Sequence, residues 1–272
     1  MNYYNSNLNS VIHPEAQIGE NVSIGPFCYI DKDVVIGDGS MIGPNVTIYE
    51  GGRIGKNVKI FPGAVIAGIP QDLKFQQEKT TAEIGDNTII REYVTVNRGT
   101  KYAQKTVVGS DCLLMAYVHV AHDCILGNHV ILANNVNLAG HVEIEDWAIL
   151  EGLVAVQQFI KIGQHSFIAG GSLVRKHVPP YVKAAREPLS YAGVNSIGLR
   201  RRQFTNDQIN TIQEIYRILF VKGYNTSHAL EVIEDSLENT PERENILNFI
   251  RAADPGIMRG FQPINGAGLD ED

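Results

Sequence analysis

Residues 117–130 read YVHVAHDCILGNHV and place three histidines within a short stretch, with His122 directly before Asp123. Imidazole is the side chain whose charge changes near pH 7, so a histidine beside a carboxylate is suited to general base catalysis. Neighbouring imidazoles can also ligate zinc. The zinc interpretation is weaker here, because no cysteine is expected to point outward and the histidines need further partners to reach three ligands.

The elements that hold these residues follow from a repeat of six residues. Reading every sixth residue from Ile12 to Val174 gives 28 positions, of which 25 are Ile, Leu or Val. The exceptions fall in two segments that we expect to be loops, near residues 68–83 and 98–107. A period of six is too short for a helical repeat and predicts short strands joined by turns, which stack into a parallel β-helix.

Each hexad also carries turn and wall positions. The second and third residues after the aliphatic one are turn formers such as Pro44-Asn45, where proline presets the first turn residue and asparagine or glycine tolerates a positive φ. The fourth residue is small or slender, and all three cysteines of the chain stand there: Cys28, Cys112 and Cys124. We therefore expect them to fill the wall of the helix rather than to form disulfides.

Hexads of the form Ile-Gly-x-x-small-x resemble those of the hexapeptide acyltransferases. That resemblance implies a left-handed parallel β-helix of triangular cross-section with three hexads in each coil. Residues 18 apart then share a column, so His122 should lie over Gly140 and Gln158, and Asp123 over His141. We expect Gly140 to leave room for a ligand beside these polar side chains, whereas His129 and His165 are expected to be ordinary surface residues of the turns.

Beyond residue 190 the six-residue period ends and a helical period begins. The segment NDQINTIQEIYRILFVKG has an apolar stripe, with Thr205 as the expected N-cap and Gly223 as the expected stop. The fold class is thus mainly β with an α-helical C-terminal part. We predict two domains, a left-handed parallel β-helix over residues 1–190 and a small helical domain over residues 191–272.

Composition excludes several functions. A formal charge of -7 and a pI near 5.6 argue against a nucleic-acid-binding surface, although Arg200, Arg201 and Arg202 form a local basic cluster. No apolar run reaches the roughly 18 residues of a membrane span, and the start MNYYNSNLNS lacks the features of a signal peptide. We expect a cytoplasmic protein.

An ordered set of segments makes the resemblance specific: IPQDLKF, VTVNRGT, VHVAHDC, ILANNVNLAGHVEIED, PPYV and GVNSIGLRRRQF. Together they are similar to the UDP-N-acetylglucosamine 3-O-acyltransferases that start lipid A synthesis. The resemblance implies transfer of a 3-hydroxyacyl chain from acyl carrier protein to the sugar 3-hydroxyl, in a homotrimer and without a cofactor or metal. The basic cluster would receive the acidic acyl carrier protein.

The same resemblance assigns roles to individual residues. His122 would be the general base and Asp123 would orient it. The expected contacts to the sugar nucleotide are Asp72, Lys74, His119, His141, Gln158, Asn195 and Arg201. Gly170 matches the position that limits the acyl chain, and glycine there predicts a preference for long donors, of about fourteen carbons or more. The chain departs from the common family pattern at Asn97, Gln157 and Ile197.

Other functions remain open from the sequence. A related acyltransferase could use another donor or sugar, such as the N-acyltransferase of the same pathway, although this chain has no large N-terminal domain before its hexads. A zinc-dependent trimer similar to carbonic anhydrase, or a noncatalytic scaffold, would share the same β-helix.

Overall fold

The structure is a computed structural model that describes residues 9–254 and 256–260. The segment 1–8 and the tail 261–272, which the two predicted domains include, lie outside the described residues. Over the described part, the chain forms three parallel sheets that share one axis, followed by helices. The predicted left-handed parallel β-helix with an α-helical C-terminal part is confirmed.

The strands are numbered β1 to β28 along the chain, and from β1 to β25 successive strands belong to successive sheets. Sheet A contains β1 (Val11–Ile12), β4 (Tyr29–Ile30), β7 (Thr47–Ile48), β10 (Val65–Gly68), β13 (Thr95–Asn97), β16 (His119–Val120), β19 (Asn137–Leu138), β22 (Ala155–Val156) and β25 (Leu173–Val174). Sheet B contains β2 (Gln17–Ile18), β5 (Val35–Ile36), β8 (Gly52–Ile54), β11 (Thr81–Ile84), β14 (Lys105–Val108), β17 (Ile125–Leu126), β20 (Glu143–Ile144) and β23 (Lys161–Ile162).

Sheet C contains β3 (Ser23–Ile24), β6 (Met41–Ile42), β9 (Lys59–Ile60), β12 (Ile89–Ile90), β15 (Leu113–Leu114), β18 (Ile131–Leu132), β21 (Ile149–Leu150), β24 (Phe167–Ile168), β26 (Val182–Ala185), β27 (Ser190–Val194) and β28 (Arg259–Gly260). The cross-section therefore has three edges, which we name by the sheets that their turns connect: the A–B, B–C and C–A edges.

The geometry of the coil explains which residue types recur at each position of the hexad. From Ile24 onward, the aliphatic residue of each hexad is buried, as Ile30 and Leu138 show, and the buried cysteines lie beside such residues as free thiols. The third residue after it adopts a positive φ in nearly every hexad, including Asn45 at 57° and Asp123 at 60°. Because this left-handed backbone is costly for most residues, asparagine and glycine recur there.

Two insertions leave the coil, and both leave it at the A–B edge. Paired residues in sheet A are ordinarily 18 apart, as in His119↔Asn137, but the spacing grows to 30 at Val65↔Thr95 and to 24 at Thr95↔His119. The first loop, residues 69–80, joins β10 to β11, and the second, residues 98–104, joins β13 to β14. The strands beyond each loop resume their places in the stack.

The C-terminal part continues sheet C before it becomes helical. Strand β26 pairs parallel with β24, β27 pairs antiparallel with β26, and β28 pairs parallel with β27. Four helices complete the described chain: α1 (Ser196–Arg201), α2 (Asn206–Phe220), α3 (Thr226–Ser236) and α4 (Pro241–Arg251). Thr205 caps α2 in a capping box with Gln208, as expected. Among the described residues, no helix has the length and apolar character needed to cross a membrane.

The hairpin of β26 and β27 spans the predicted domain boundary at residue 190. The sheet of the β-helix therefore runs without a break into the segment before α1. The division into residues 1–190 and 191–272 stays a prediction.

Candidate active site

A cavity of about 700 Å³ opens at the A–B edge, between the two inserted loops and the turns of the next coils. Its polar and aromatic lining comes from five segments that are separated in sequence: Gln71, Asp72, Lys74, Glu78, Thr100, Lys101, Tyr102, His122, His141, Gln158 and Phe159. The stack places the turn residues in columns, and the loops cover those columns from the side. The strand register on this side of the coil confirms that residues 18 apart share a column, as in His119↔Asn137 and Asn137↔Ala155.

His122 and Asp123 form a buried hydrogen-bonded pair. His122 Nδ1 lies 2.8 Å from Asp123 Oδ2, and the residues are 7% and 3% exposed. Because the carboxylate is ionised, Nδ1 carries the proton and donates it, which leaves Nε2 free to accept a proton. This is the arrangement that a histidine base requires.

The carboxylate of Asp123 is held by the second loop. Its Oδ1 accepts hydrogen bonds from the backbone N–H groups of Thr100 (2.8 Å) and Ala103 (3.2 Å), and its Oδ2 accepts one from the Thr100 hydroxyl (2.7 Å). Burial raises the pKa of Asp123, but the hydrogen bonds from Thr100, His122 and Ala103 outweigh burial and leave the pKa below its ordinary value. The carboxylate therefore stays charged at neutral pH.

Gly140 makes room for the His122 imidazole. A Cβ atom built on Gly140 would lie 2.6 Å from His122 Cε1 and 2.8 Å from Nε2. The glycine in this column was expected to leave space for a ligand, whereas in the structure the His122 imidazole fills that space. The ring can take this position because its neighbour has no side chain.

His141 lies in the next coil and belongs to the same cluster. Its ring stacks on Phe159 with centroids 4.5 Å apart and meets Tyr102 edge-on at 4.6 Å. Burial lowers the pKa of His141, and the charge of Asp123 opposes that effect. His141 Nδ1 lies 3.8 Å from Asp123 Oδ2, too far for a hydrogen bond, and has no partner. His141 is thus a neutral, aromatic-lined wall of the cavity.

His119 lies on the outer face of sheet A, next to the cavity. Its Nδ1 lies 2.7 Å from the Thr95 hydroxyl, one coil away. Burial, followed by the neighbouring His122, lowers the pKa of His119. A neutral imidazole at this place can exchange a hydrogen bond with a polar ligand group.

The other residues predicted for the sugar nucleotide divide into two groups. Asp72, Lys74 and Gln158 line the cavity with His122 and His141. Asp72 Oδ1 accepts a hydrogen bond from the Lys74 backbone N–H (2.9 Å), which closes the tip of the first loop. One wall of the cavity therefore carries both an acidic and a basic group.

Asn195 and Arg201 are not brought to this cavity within one chain. Asn195 is 5% exposed, caps α1 by accepting a hydrogen bond from Gly198 N, and donates to the His165 carbonyl oxygen (2.9 Å) at the B–C edge. Arg201 follows in α1 and is exposed. Gly170 lies at the third edge, C–A, where the backbone N–H of Gly171 donates to the Gly152 carbonyl oxygen.

The B–C edge holds a cluster that the sequence did not predict. His165 was expected to be an ordinary surface histidine, but it is 8% exposed and stacks between Trp147 and Tyr181. The Arg202 guanidinium lies 5.0 Å from the Trp147 ring centroid and 3.4 Å from His165 Nδ1. The pattern of histidine and aromatic residues at 18-residue intervals could have revealed this column.

The structure shows the surroundings of the three residues that depart from the family pattern. Asn97 Nδ2 donates to the Ile69 carbonyl oxygen (3.1 Å) and so ties β13 to the start of the first loop, while its Oδ1 is buried without a partner. Ile197 is 65% exposed on α1, close to Arg201. Gln157 is exposed beside the cavity-lining Gln158.

The cluster of His122, Asp123 and His141 also has the spacing of a metal-binding site. Ligand atoms of His122, Asp123 and His141 lie within 4.8 Å of one another, which is close enough for one cation. Both oxygens of Asp123 already accept hydrogen bonds from Thr100, and Oδ2 accepts another from His122. A metal would have to replace these bonds, so the donor set fits a proton-transfer pair better than a metal centre.

Comparison with known proteins places the chain in a family. Residues 177–258 match a family model described as UDP-N-acetylglucosamine O-acyltransferase, domain 2, and residues 15–50 and 105–140 match bacterial transferase hexapeptide repeats. An acyl-[acyl-carrier-protein]--UDP-N-acetylglucosamine O-acyltransferase from Chlorobaculum parvum is 50% identical over 94% of this chain and 97% of its own length.

Solved structures agree with the sequence relatives. A UDP-N-acetylglucosamine acyltransferase from Bacteroides fragilis is 52% identical, with a TM-score of 0.91 over 92% of this chain and 98% of that one. The enzyme from Francisella novicida is 38% identical, with a TM-score of 0.90 over 97% of this chain and 98% of that one. With this similarity over nearly its whole length, the chain belongs to the UDP-N-acetylglucosamine O-acyltransferase family.

Proposed function

We propose that this chain transfers a 3-hydroxyacyl group from acyl carrier protein to the 3-hydroxyl of UDP-N-acetylglucosamine, the first step of lipid A synthesis. The observation that carries the proposal is the oriented pair of His122 and Asp123 in the cavity at the A–B edge. The names of the close relatives supply the substrates, and the pair supplies a mechanism by which they would react.

His122 Nε2 removes the proton from the sugar hydroxyl as its oxygen attacks the thioester carbonyl carbon. The new C–O bond forms, the C–S bond breaks, and the imidazolium returns the proton to the leaving thiolate. Asp123 holds the Nδ1 proton throughout, so that the ring keeps its tautomer and the imidazolium is stabilised. No covalent acyl-enzyme is needed.

The cavity lining would bind the sugar part of the nucleotide. Asp72 and Gln158 offer hydrogen-bonding groups to hydroxyl and amide groups, and His141 in the same lining is held neutral by burial and can do the same. His119, on the outer face of sheet A, is also held neutral by burial and would add to this set. Lys74 and Lys101 offer positive charge on the same side. The apolar wall of Phe159 and Tyr102 suits the less polar face of a pyranose ring.

We further propose that the complete site forms between subunits of a homotrimer. Arg201 and Asn195 lie at the B–C edge, away from the cavity of their own chain, and Gly170 lies at the C–A edge. A neighbouring copy that packs its edge against the A–B edge would bring an arginine to the diphosphate, where a guanidinium can bind two phosphate oxygens. Arg200 and Arg201 are exposed and would also attract an acidic acyl carrier protein.

The three buried cysteines carry free thiols, which suits the reducing cytoplasm, the compartment we propose for the reaction.

The test is an assay with defined substrates. The purified protein is incubated with UDP-N-acetylglucosamine and a panel of 3-hydroxyacyl carrier proteins, and the products are weighed by mass spectrometry. We expect a product heavier than the sugar nucleotide by one 3-hydroxyacyl group. We also expect His122→Ala to fold and to lose on the order of 100-fold or more in turnover, because it removes the general base.

Two results would contradict this function. Turnover of His122→Ala within about threefold of wild type would remove His122 from the mechanism. Zinc bound at near one ion per chain, in protein purified without a histidine tag, would favour a metal-dependent reaction at the same cluster.

A further inference from the structure

Both oxygens of Asp123 have several hydrogen-bond donors. The second loop supplies three of them, two from Thr100 and one from Ala103, and His122 supplies the fourth. The side chain of Asp123 is 0% exposed, so no bulk water competes for these positions. The direction of the carboxylate is therefore decided by the loop.

The loop is built to hold these donors still. The Thr80 hydroxyl donates to the Gly99 carbonyl oxygen (2.6 Å), Gln104 N donates to the Thr100 carbonyl oxygen (2.8 Å), and Arg98 N donates to the Gly68 carbonyl oxygen (2.9 Å). Apart from the first loop, residues 69–80, the turns between β1 and β25 connect the sheets without such an insertion. Closing the coil does not require residues 98–104, but fixing Asp123 uses them.

The orientation of the Asp123 carboxylate matters because a second imidazole, that of His141, lies close to it. His141 Nδ1 lies 3.8 Å from Asp123 Oδ2, the same oxygen that His122 Nδ1 contacts at 2.8 Å, and it has no partner. A small rotation of the carboxylate would exchange one imidazole for the other. The Thr100 hydroxyl bonds this oxygen at 2.7 Å and opposes the rotation.

We propose that Thr100 is a positioning residue that directs Asp123 to His122 rather than to His141. It acts through Asp123 and has no role in binding the proton that is transferred. This inference rests on the proposed function, because it assigns Thr100 a part in the action of the base His122. It adds a residue of the second loop to the machinery that the turn residues alone were expected to form.

The test uses Thr100→Val, which keeps the shape of the side chain and the backbone N–H and removes the hydroxyl donor. We expect kcat to fall by on the order of tenfold to a hundredfold, while KM for UDP-N-acetylglucosamine changes by less than about twofold. Thr100→Ser restores the donor and should recover most of kcat. Thr80→Val is the matched control, since it removes a hydroxyl that holds the same loop but does not touch Asp123.

The outcomes separate this inference from the function on which it rests. If the wild-type protein transfers no acyl group, the proposed function fails. If the wild type is active and folded Thr100→Val keeps its kcat, or if Thr80→Val loses as much kcat, the positioning role is overturned.

A measurement on the unmutated enzyme keeps the test valid if Thr100→Val does not fold. In the ¹⁵N spectrum of histidine side chains, His122 should carry its proton on Nδ1, with the downfield shift of a proton hydrogen-bonded to a carboxylate. A proton on Nε2 of His122, or a carboxylate-bonded proton on His141 instead, would overturn the proposal.

Discussion

Gly140 lies one coil beyond His122, and its missing side chain is what allows the imidazole to lie flat in the column. Gly140→Ala would place a Cβ atom 2.6 Å from His122 Cε1, closer than van der Waals contact allows. The ring must then turn away from Asp123. The backbone of Gly140 does not have a positive φ, so the coil tolerates alanine at this position. The substitution should therefore affect the position of the His122 ring and not the fold.

We therefore expect Gly140→Ala to fold but to lose on the order of tenfold or more in kcat. Gly152→Ala is the matched control, because Gly152 occupies the same hexad position at the C–A edge and its added Cβ would lie 3.3 Å from the Asn134 carbonyl oxygen. Steady-state kinetics and thermal melting of both variants check this. Equal kcat losses in the two variants would show that the glycine serves the coil and not the base.

Residue identities predicted the hydrogen-bonded pair of His122 and Asp123 but not all of its surroundings. Adjacent His122 and Asp123 were visible because chain neighbours need no fold to bring them together. The contact of Asp123 with Thr100 joins residues on different coils and depends on the path of an irregular loop. Hexad spacing gives no information about such a path, so Thr100 could not be chosen from its type.

At the scale of the elements, the repeat predicted much of the β-helix because each hexad repeats the same burial, the same turn and the same positive φ. The loops were predicted as breaks in the pattern. Their common exit at the A–B edge follows only after hexads are assigned to sheets. Helix α1 was missed because its residues, SIGLRR, include a glycine and are too few to show a helical period.

The buried His165 in the column at the B–C edge predicts how the stability of the protein depends on pH. Burial, followed by the charge of Arg202, lowers the pKa of His165 from its ordinary value of 6.5 to about 4. The unfolded chain therefore binds a proton at His165 below pH 6.5, whereas the folded chain binds it only below about 4. The stabilisation that the neutral His165 ring contributes is fully present above pH 6.5 and is lost as the pH falls towards 4.

We expect the free energy of unfolding to drop by on the order of 2 kcal/mol between pH 7 and 4.5 through this group. His165→Phe keeps an aromatic ring between Trp147 and Tyr181 but cannot titrate, so its pH dependence should be shallower by that amount. Urea unfolding of both proteins at the two pH values measures the difference. Parallel curves for wild type and variant would mean that His165 does not control acid stability.

The turn column of the C–A edge carries the prediction for acyl chain length. Gly170 does not have a positive φ, whereas its neighbour Gly171 does, at 70°. Turn geometry therefore does not require glycine at position 170. A side chain there would approach the Gly152 carbonyl oxygen at 3.2 Å, which calls for a shift of a few tenths of an ångström.

We expect Gly170→Met to move the donor preference from long to shorter 3-hydroxyacyl chains. Each methylene excluded from a groove loses about 0.8 kcal/mol, so a few of them reverse a preference by orders of magnitude. Competing donors of different length in one reaction report the ratio of products. Gly152→Met, in the same column one coil away, is the control; an unchanged ratio in folded Gly170→Met would place the length limit elsewhere.

At the scale of the whole molecule, the separation of His122 from Arg201 predicts that one site uses two subunits. Arg201→Ala alone should raise KM for the sugar nucleotide more than it lowers kcat, because the guanidinium would bind ground state and transition state alike. His122→Ala alone should keep its loss of about 100-fold or more in turnover at any substrate concentration, because it removes the base.

Co-expression of these two variants tests the sharing directly. In randomly mixed trimers, about a quarter of the sites would combine an intact His122 with an intact Arg201 from the neighbour. Activity at sugar nucleotide concentrations below the wild-type KM should therefore recover to about a quarter of wild type. Mixing the separately purified trimers is the control, and no gain on co-expression would mean that each chain builds its own site.

The two insertions leave and re-enter the coil at a single edge, and the strands after them resume the stack as if nothing had been added. The stacked coils and the A–B edge are therefore free to change separately. A change of length or sequence in residues 69–80 or 98–104 alters the walls of the cavity, while every later strand keeps its pairing partner. A deletion of one residue inside a hexad would instead misalign all the coils beyond it. Changes of substrate range can therefore accumulate in residues 69–80, whereas residues 98–104 must keep the hydrogen bonds from Thr100 and Ala103 to Asp123.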